Sequence, residues 1–221
     1  MQIDINVARK VLQVVDAGLV KGMGNPVPGQ MCVEAAVCYA MGLPHGDQPS
    51  CVAPSLRQLK IRLNDARWSS DVARSNGLRR LALAQLGSAG HLDEKEFAKR
   101  CARLAIQTSV PTALRAAASI ARGERKERLL AAAATCEQNP TRENALEAKT
   151  AAADAAAYAA YAADAAAYAA GAADAAAYAA DADADRSLAA FAEGVVQILV
   201  EMKAPGCEWL GLTEESGDLV A

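Results

Sequence analysis

A cysteine at the expected start of a helix has the clearest potential for covalent chemistry in this chain. Cys32 follows the turn-rich segment 24–29 and precedes a run of small and apolar residues that is typical of a buried helix. The positive end of a helix dipole lowers the pKa of a cysteine placed there, and a nearby base would make the thiolate a nucleophile. His91 and Asp93 are the candidate base and its orienting acid.

This segment, in which a cysteine heads a small-residue helix that is followed by Gly-Leu-Pro at 42–44, resembles the nucleophile helix of transglutaminase-like and papain-like hydrolases. The resemblance implies a hydrolase in which Cys32 attacks the substrate. Those folds carry the histidine and the acid on a β-sheet, whereas no alternating strand pattern occurs here, and Asp93 is suited to be a helix N-cap. The competing interpretation makes Cys32 and Cys38 core residues and leaves Glu34 in solvent.

Polar residues in the loops between helices are candidates for a non-catalytic ligand site. Loops rich in proline, glycine and aspartate are where a pocket forms between helices, and nearby arginines would suit a phosphate or a nucleotide. The candidate ligand-binding residues are His45, Asp47, Arg57, Arg62, Asn64, Asp65 and Arg67. We expect no metal site, because the spacing of the cysteines and the histidine in 32–51 matches no common zinc pattern, and no cofactor is implied.

Charge is divided unevenly along the chain, although its formal net charge is only −3. Residues 1–130 contain 19 Lys+Arg against 11 Asp+Glu, and residues 131–221 contain 4 against 15. The basic part could bind nucleic acid or phosphate, or it could face the acidic part within the chain or across an oligomer. No aromatic residues interleave with the arginines, which argues against stacking on single-stranded nucleic acid.

Helical periodicity and capping residues account for most of residues 1–138. Asp4 and Ser70 are suited to cap two helices, and Asp93 has the spacing of a capping box with Glu96. Further helices are predicted over 30–41, 55–64, 111–122 and 124–137. The predicted fold is therefore all-α, an irregular helical array with a long alanine-rich helix or a helical hairpin.

One ten-residue phrase, AADAAAYAA followed by Tyr, Gly or Asp, occurs three times around residues 151–180. Alanine has the highest helix propensity, so this segment is predicted to be helical. Its tyrosines do not form one stripe on a helical wheel, which favours a structural helix over a repetitive ligand-binding face. We expect a turn at Gly171 or within 181–185, which would give two antiparallel helices over 142–202, with one long helix as the alternative.

Composition limits the class of protein. No run of 18 strongly apolar residues occurs, and the N-terminus lacks a signal-peptide pattern, so we expect a cytoplasmic protein without a membrane partner. The six cysteines are scattered, which favours free thiols over a disulfide framework. The expected division is a basic helical domain over 1–138, an alanine-rich arm or hairpin over 139–204, and a C-terminal tail over 205–221.

Four short segments resemble uncharacterised proteins of bacteria and their phages: CVEAA at 32–36, PHGD at 44–47, KIRLND at 60–65 and AQLG at 84–87. The alanine-tyrosine segment, followed by a leucine-rich helix, is similar to alanine-rich proteins that are labelled as immunity proteins. The resemblance implies a non-enzymatic immunity or anti-defence factor that sequesters a bacterial toxin, a defence protein or a nucleotide signal. It carries no catalytic residue over to this chain.

Two hypotheses therefore follow from the sequence. The leading one is a non-enzymatic binding or inhibitor protein that works as a homo-oligomer, because an alanine-tyrosine helix has little large apolar surface of its own and favours close helix pairing. The alternative is a cysteine hydrolase that uses Cys32. The sequence identifies neither the partner nor the size of the oligomer.

Overall fold

The computed structural model describes residues 3–153 and 170–215, and these are almost entirely helices and the loops that join them. Within those ranges there is no β-strand, and two isolated bridges join Met31 to Leu19 and to Gly24. The predicted all-α class is confirmed. None of the helices in these ranges is long and apolar enough to cross a membrane.

Among the described residues the longest loops are those after the first and second helices. In chain order they are α1 (Ile5–Asp16), α2 (Val33–Ala40), α3 (Pro54–Asn64), α4 (Asp71–Ala84), α5 (Glu94–Gln107), α6 (Ser109–Ile120), α7 (Glu124–Gln138), α8 (Ala170–Glu201), a 3-10 helix (Pro205–Trp209) and α9 (Leu212–Glu215). Residues 142–153 are also helical. The first loop (residues 17–32) and the second loop (residues 41–53) flank α2.

Side-chain caps fix several helix starts. Asp4 caps α1 by accepting hydrogen bonds from the backbone amides of the second and third residues that follow it, and Ser70 caps α4 through Ala73 N. Asp93 Oδ1 accepts from two backbone amides at the start of α5, so its predicted role as a cap is confirmed. The start predicted for α2 at Gln30 is wrong, because Gln30 is still hydrogen-bonded within the first loop.

The predicted turn in the alanine-rich segment is also wrong at both of the positions proposed for it. The helix α8 runs without a break through Gly171 and through 181–185. A glycine or an aspartate inside a helix costs roughly 1 kcal/mol or less, which the surrounding alanines offset. Asp185 is also held, because its carboxylate accepts hydrogen bonds from Ser69 N at 2.9 Å and from the Ser69 hydroxyl. The first two copies of the repeat fall largely within 154–169, outside the described residues.

The chain forms two compact units, one of Met1–Lys99 with Asp181–Ala221 and the other of Arg100–Ala180. In this division the end of α8 belongs with the N-terminal helices. Glu193 on α8 accepts from Arg80 on α4 at 3.0 Å. An acidic segment therefore meets a basic one within the first unit, as one interpretation of the charge pattern predicted.

Each unit has its own hydrophobic core. In the first unit, aliphatic residues of α1, α2, α4 and α8 are almost fully buried, among them Val11, Val37, Leu81 and Leu199. The core of the second unit is built from Leu114, Ala118, Leu129, Ala133, Cys136 and Ala148. Small residues make up half of that second core, so its helices approach closely and bury little large apolar surface.

The 3-10 helix is held against the end of α4 by a glycine. A Cβ on Gly206 would lie 2.3 Å from the carbonyl oxygen of Leu83 and 2.7 Å from Leu86 N. Only a residue without a side chain permits this approach. The helix α8 ends just before it, where Lys203 takes a left-handed backbone conformation with φ of 57°.

Candidate functional site

Cys32 lies at the head of α2, as the sequence predicts, but its environment does not activate it. The side chain is buried and acts as the N-cap, with Sγ accepting from Ala35 N at 3.4 Å. Burial raises the pKa of the Cys32 thiol above its usual value, and the backbone hydrogen bonds at the helix start oppose this only in part. The expected lowering of this pKa is therefore wrong, because loss of hydration outweighs the helix dipole.

His91 and Asp93, the candidate base and acid of the hydrolase hypothesis, have other contacts in the structure. His91 is exposed, and its Nδ1 lies 3.3 Å from the carbonyl oxygen of Ala89, two residues away. Asp93 caps α5. Among the described residues, no hydrogen bond joins Cys32, His91 and Asp93 to one another. These contacts therefore do not assemble a nucleophile, a base and an orienting acid into one site.

A buried ion pair stands next to Cys32 and was missed by the sequence analysis. Glu34 Oε1 lies 3.2 Å from Lys60 Nζ, and both side chains are 0 % exposed. Glu34 was expected in solvent, and this is wrong because α2 is surrounded on every side near its start. Burial raises the pKa of Glu34 and lowers that of Lys60. The burial of Lys60 could have been predicted from its spacing. It lies four residues after Leu56 and three before Leu63, on the buried face of α3.

Asn64 and Asp65, two of the candidate ligand residues, tie the first loop to the helices. Asn64 Oδ1 accepts from Val33 N at 3.2 Å, and its Nδ2 donates to Val20 O at 2.9 Å. Asp65 Oδ1 accepts from Gly22 N at 2.8 Å. Both residues therefore hold the backbone of the loop in place, and Asn64 is almost fully buried.

Arg74 on α4 holds the same loop from the other side. Its guanidinium donates to Leu19 O at 3.0 Å and to Asn64 O at 2.8 Å, and it also pairs with Asp71. The residue is 5 % exposed. Because a buried guanidinium is costly unless its donors are used, this side chain fixes the geometry of the backbone groups around it.

The apolar tips of the first loop remain exposed although its backbone is fixed. Met23 and Val27 are 46 % and 47 % exposed. Gly24 lies between them with φ of +69°, and a Cβ there would lie 2.0 Å from Gln30 O. The loop is thus a tight turn that presents large apolar side chains outward. Nothing in the sequence patterns distinguished these two residues from ordinary loop positions.

The second loop lines a cavity of about 370 Å³ together with Cys38. Asp47 lies in its wall, beside Leu43 and Pro44. Of the predicted ligand residues, His45 is turned toward the first loop, since its Nε2 lies 3.0 Å from Gly24 O and must donate to that oxygen. Its Nδ1 is buried and has no hydrogen-bond partner among the described residues.

A smaller cavity of about 40 Å³ lies between the two loops. Its wall includes Met23 from the first loop and Asp47 from the second, and four residues at the helix ends: Cys32, Glu34, Asn64 and Asp65. The structure therefore brings together three of the predicted ligand residues, Asp47, Asn64 and Asp65. It adds Glu34, which the sequence analysis did not select.

The predicted arginines are not part of either cavity wall. Arg62 and Arg67 are exposed, and Arg57 is half-buried with its Nε unbonded among the described residues. Arg57 lies near enough to Glu34 for its charge to oppose the rise in the pKa of that carboxyl. The charged groups that line the smaller cavity are carboxylates, so the site does not have the chemistry of a phosphate pocket.

Comparison with known proteins found no matching protein family, no matching characterised protein and no matching solved structure. The fold and the site together define an all-α protein with two interhelical loops that are held by buried polar side chains. Within the described residues, no group of three or more histidine, cysteine, aspartate and glutamate side chains is placed to hold a metal ion.

Proposed function

We propose that this chain is a cytoplasmic, non-enzymatic binding protein that sequesters a protein partner on its first loop. The proposal rests on one observation: the backbone of the first loop is fixed, while its apolar side chains are exposed. Buried donors and acceptors from α3 and α4 hold the backbone of the loop, while Met23 and Val27 face outward. A loop that is already ordered loses little conformational entropy on binding, so its apolar surface contributes more to affinity.

The biological setting of the proposal is conflict between bacteria or between bacteria and phage. It comes from the resemblance of the sequence to alanine-rich proteins that are labelled as immunity proteins. Such a factor neutralises a toxin or blocks a defence protein by holding it. We favour a protein over a nucleotide signal as the partner, because the cavity walls near the loops carry Asp47 and no arginine.

The cysteine hydrolase is not the function that the geometry supports. Its nucleophile needs a thiolate at neutral pH, whereas burial raises the pKa of Cys32.

The test first identifies the genes that neighbour the gene for this chain and uses any toxin or defence gene found there. Bacteria that express that neighbour receive the wild-type chain, the double variant Met23→Asp/Val27→Asp, or Val72→Asp. Val72 on α4 is the control for placing a charge at an exposed apolar position, since it is 66 % exposed and is not part of the first loop. We expect the wild type and the control to restore growth and the double variant to fail, with all three equally soluble and helical.

Rescue by all three chains would show that the first loop is not the binding surface. A wild-type chain that changes neither growth nor phage resistance would overturn the setting in bacterial conflict. Mass spectrometry of the purified wild type adds a readout of the ligand class, because a co-purifying nucleotide would contradict the protein partner.

A further inference from the structure

The hairpin formed by α6 and α7 exposes an apolar patch near its bend. Ile120, the last residue of α6, is 76 % exposed, the largest exposed fraction among the large apolar side chains of the described residues, and Leu130 on α7 is 41 % exposed. Their neighbours Ala118 and Leu129 are buried in the core of the second unit. The packing of that core therefore fixes the hairpin and leaves Ile120 and Leu130 on its outer surface.

Basic side chains stand beside this apolar patch. Arg122 lies in the bend, two residues after Ile120, and Lys126 lies in the first turn of α7. Lys126 and Leu130 are four residues apart, so they are neighbours on one face of that helix. Arg122 and Lys126 are exposed, and neither forms an ion pair with any described residue. The hairpin thus presents apolar surface and positive charge side by side.

The same chain contains a segment whose composition complements this surface. Residues 100–130 contain seven Lys+Arg against two Asp+Glu, whereas residues 150–185 contain six aspartates and no lysine or arginine. Between its aspartates, this acidic segment is almost entirely alanine and tyrosine, so it offers apolar surface as well as carboxylates. Complementary charge of this kind selects a partner and fixes the register of the contact.

We propose that the α6–α7 hairpin of one copy binds the acidic segment, residues 150–185, of a second copy. Arg122 and Lys126 pair with aspartates of the segment, and Ile120 and Leu130 pack against its alanine and tyrosine side chains. A protein segment suits this surface better than nucleic acid does, because a phosphate backbone offers no apolar groups to Ile120.

The symmetry of the contact follows from the fact that each copy carries both surfaces. Two copies related by a two-fold axis make the same contact twice and form a closed dimer. The inference goes beyond the proposed function and does not rest on it, since the first loop belongs to the other unit.

Light scattering of the full-length wild type is the first measurement. At micromolar concentration and low salt we expect a mass of about twice the 22.9 kDa of one chain. Raising NaCl from about 0.1 M to about 1 M shortens the Debye length from about 10 Å to about 3 Å, so the Kd of the dimer should rise by at least about tenfold. A monomer at low salt, or a Kd that salt does not change, would overturn the proposal.

Two charge-reversed variants then test the pairing itself. The hairpin variant is Arg122→Glu/Lys126→Glu, and the segment variant, Asp154→Lys/Asp164→Lys/Asp174→Lys, has one substitution in each copy of the repeat. Each variant alone brings like charges together and should be monomeric where the wild type is a dimer. A one-to-one mixture should form a dimer again, because the reversed hairpin meets the reversed segment in one contact and the two unchanged surfaces meet in the other.

Arg9→Glu/Lys95→Glu is the matched control, since it reverses two exposed basic residues of the first unit. It should dimerise as the wild type does, and circular dichroism checks that every variant keeps its helices. A mixture of the two folded variants that stays monomeric would assign the pairing to a single chain and overturn the contact between copies. A hairpin variant that dimerises normally, or a control that does not, would equally overturn it.

The variant Met23→Asp/Val27→Asp separates this inference from the proposed function. It keeps both surfaces of the contact between copies, so it should form the dimer while it fails in the growth assay. A dimer without growth rescue by the wild type would reject the partner surface alone, and rescue by a monomeric wild type would reject the contact between copies alone.

Discussion

Glu34 and Lys60 are the most costly side chains to bury in the first unit. Each is 0 % exposed, and each has a pKa moved toward its neutral form by burial. Their mutual attraction offsets the loss of hydration only while both are present. The pair therefore contributes little net stability, but it makes either single substitution severe.

The variant Lys60→Met should lower the free energy of unfolding by about 3–5 kcal/mol, because it leaves the Glu34 carboxylate buried without a counter-charge. Urea unfolding followed by circular dichroism measures the change. The double variant Glu34→Met/Lys60→Met should recover most of that loss, since two apolar side chains of similar length remain. A double variant that is as unstable as the single one would contradict this account of the pair.

The thiols of this protein should be slow nucleophiles. Burial raises the pKa of Cys38 to about 11 and that of Cys101 to about 12, and it raises that of Cys32 as well. With a raised pKa, the thiolate fraction at pH 7.5 is below that of a free cysteine and grows only as the pH rises toward the folded pKa.

Alkylation of Cys32 by iodoacetamide at pH 7.5 should therefore be at least about tenfold slower than that of free cysteine. Mass spectrometry of tryptic peptides follows the reaction site by site. The protein unfolded in urea is the control, and its Cys32 should react at the rate of an ordinary thiol. Rapid, selective labelling of Cys32 in the folded protein would revive the hydrolase alternative.

At the scale of elements, the two long loops depend on helix ends rather than on their own sequence. Arg74 from α4 and Asn64 from α3 bond backbone groups of the first loop, and Ser88 Oγ, after α4, accepts from Ala53 N at the end of the second loop. The ends of α3 and α4 are in turn placed by their packing in the core. A loop surface that is positioned in this way changes when the helices shift.

The contact between α4 and the 3-10 helix gives a direct test of that packing. Gly206→Ala should lower the free energy of unfolding by about 1–3 kcal/mol, because the new Cβ would lie 2.3 Å from Leu83 O and neither backbone can yield freely. Gly211→Ala is the matched control, since a Cβ there meets no atom within 4 Å. Equal stability of the two variants in thermal unfolding would show that the 3-10 helix is not held against α4.

At the scale of the whole molecule, ion pairs join segments of opposite charge inside each unit. Arg80 pairs with Glu193 at 3.0 Å in the first unit, and Arg115 pairs with Glu137 in the second. Exposed or half-exposed pairs of this kind contribute about 0–1 kcal/mol each. Arg80 and Arg115 are therefore paired with carboxylates, and these are two of the basic residues that a nucleic-acid surface would need.

The oligomeric state is the prediction that belongs to this scale. We expect light scattering at micromolar concentration to give a mass that is a multiple of 22.9 kDa, because the alanine-rich helices bury little large apolar surface on their own. Dilution into the nanomolar range should lower that mass if the association is reversible. A monomer throughout the micromolar range would contradict the prediction.

The sequence alone determined the class of fold and the starts of several helices. Asp4, Ser70 and Asp93 were predicted as caps, and each accepts hydrogen bonds from the first turn of its helix. Such features are local, because a cap bonds amides two or three residues away and a helical face repeats every three or four residues. No distant part of the chain needs to be known to predict them.

Only the tertiary structure decided which polar residues are buried and what they meet. Glu34 and Lys60 are 26 positions apart, and their pairing depends on how α2 packs against α3. The same holds for the pKa of Cys32, which burial raises and the backbone hydrogen bonds at the helix start lower, with burial the larger effect. Desolvation comes from neighbours that are distant in sequence, so no local pattern contains it.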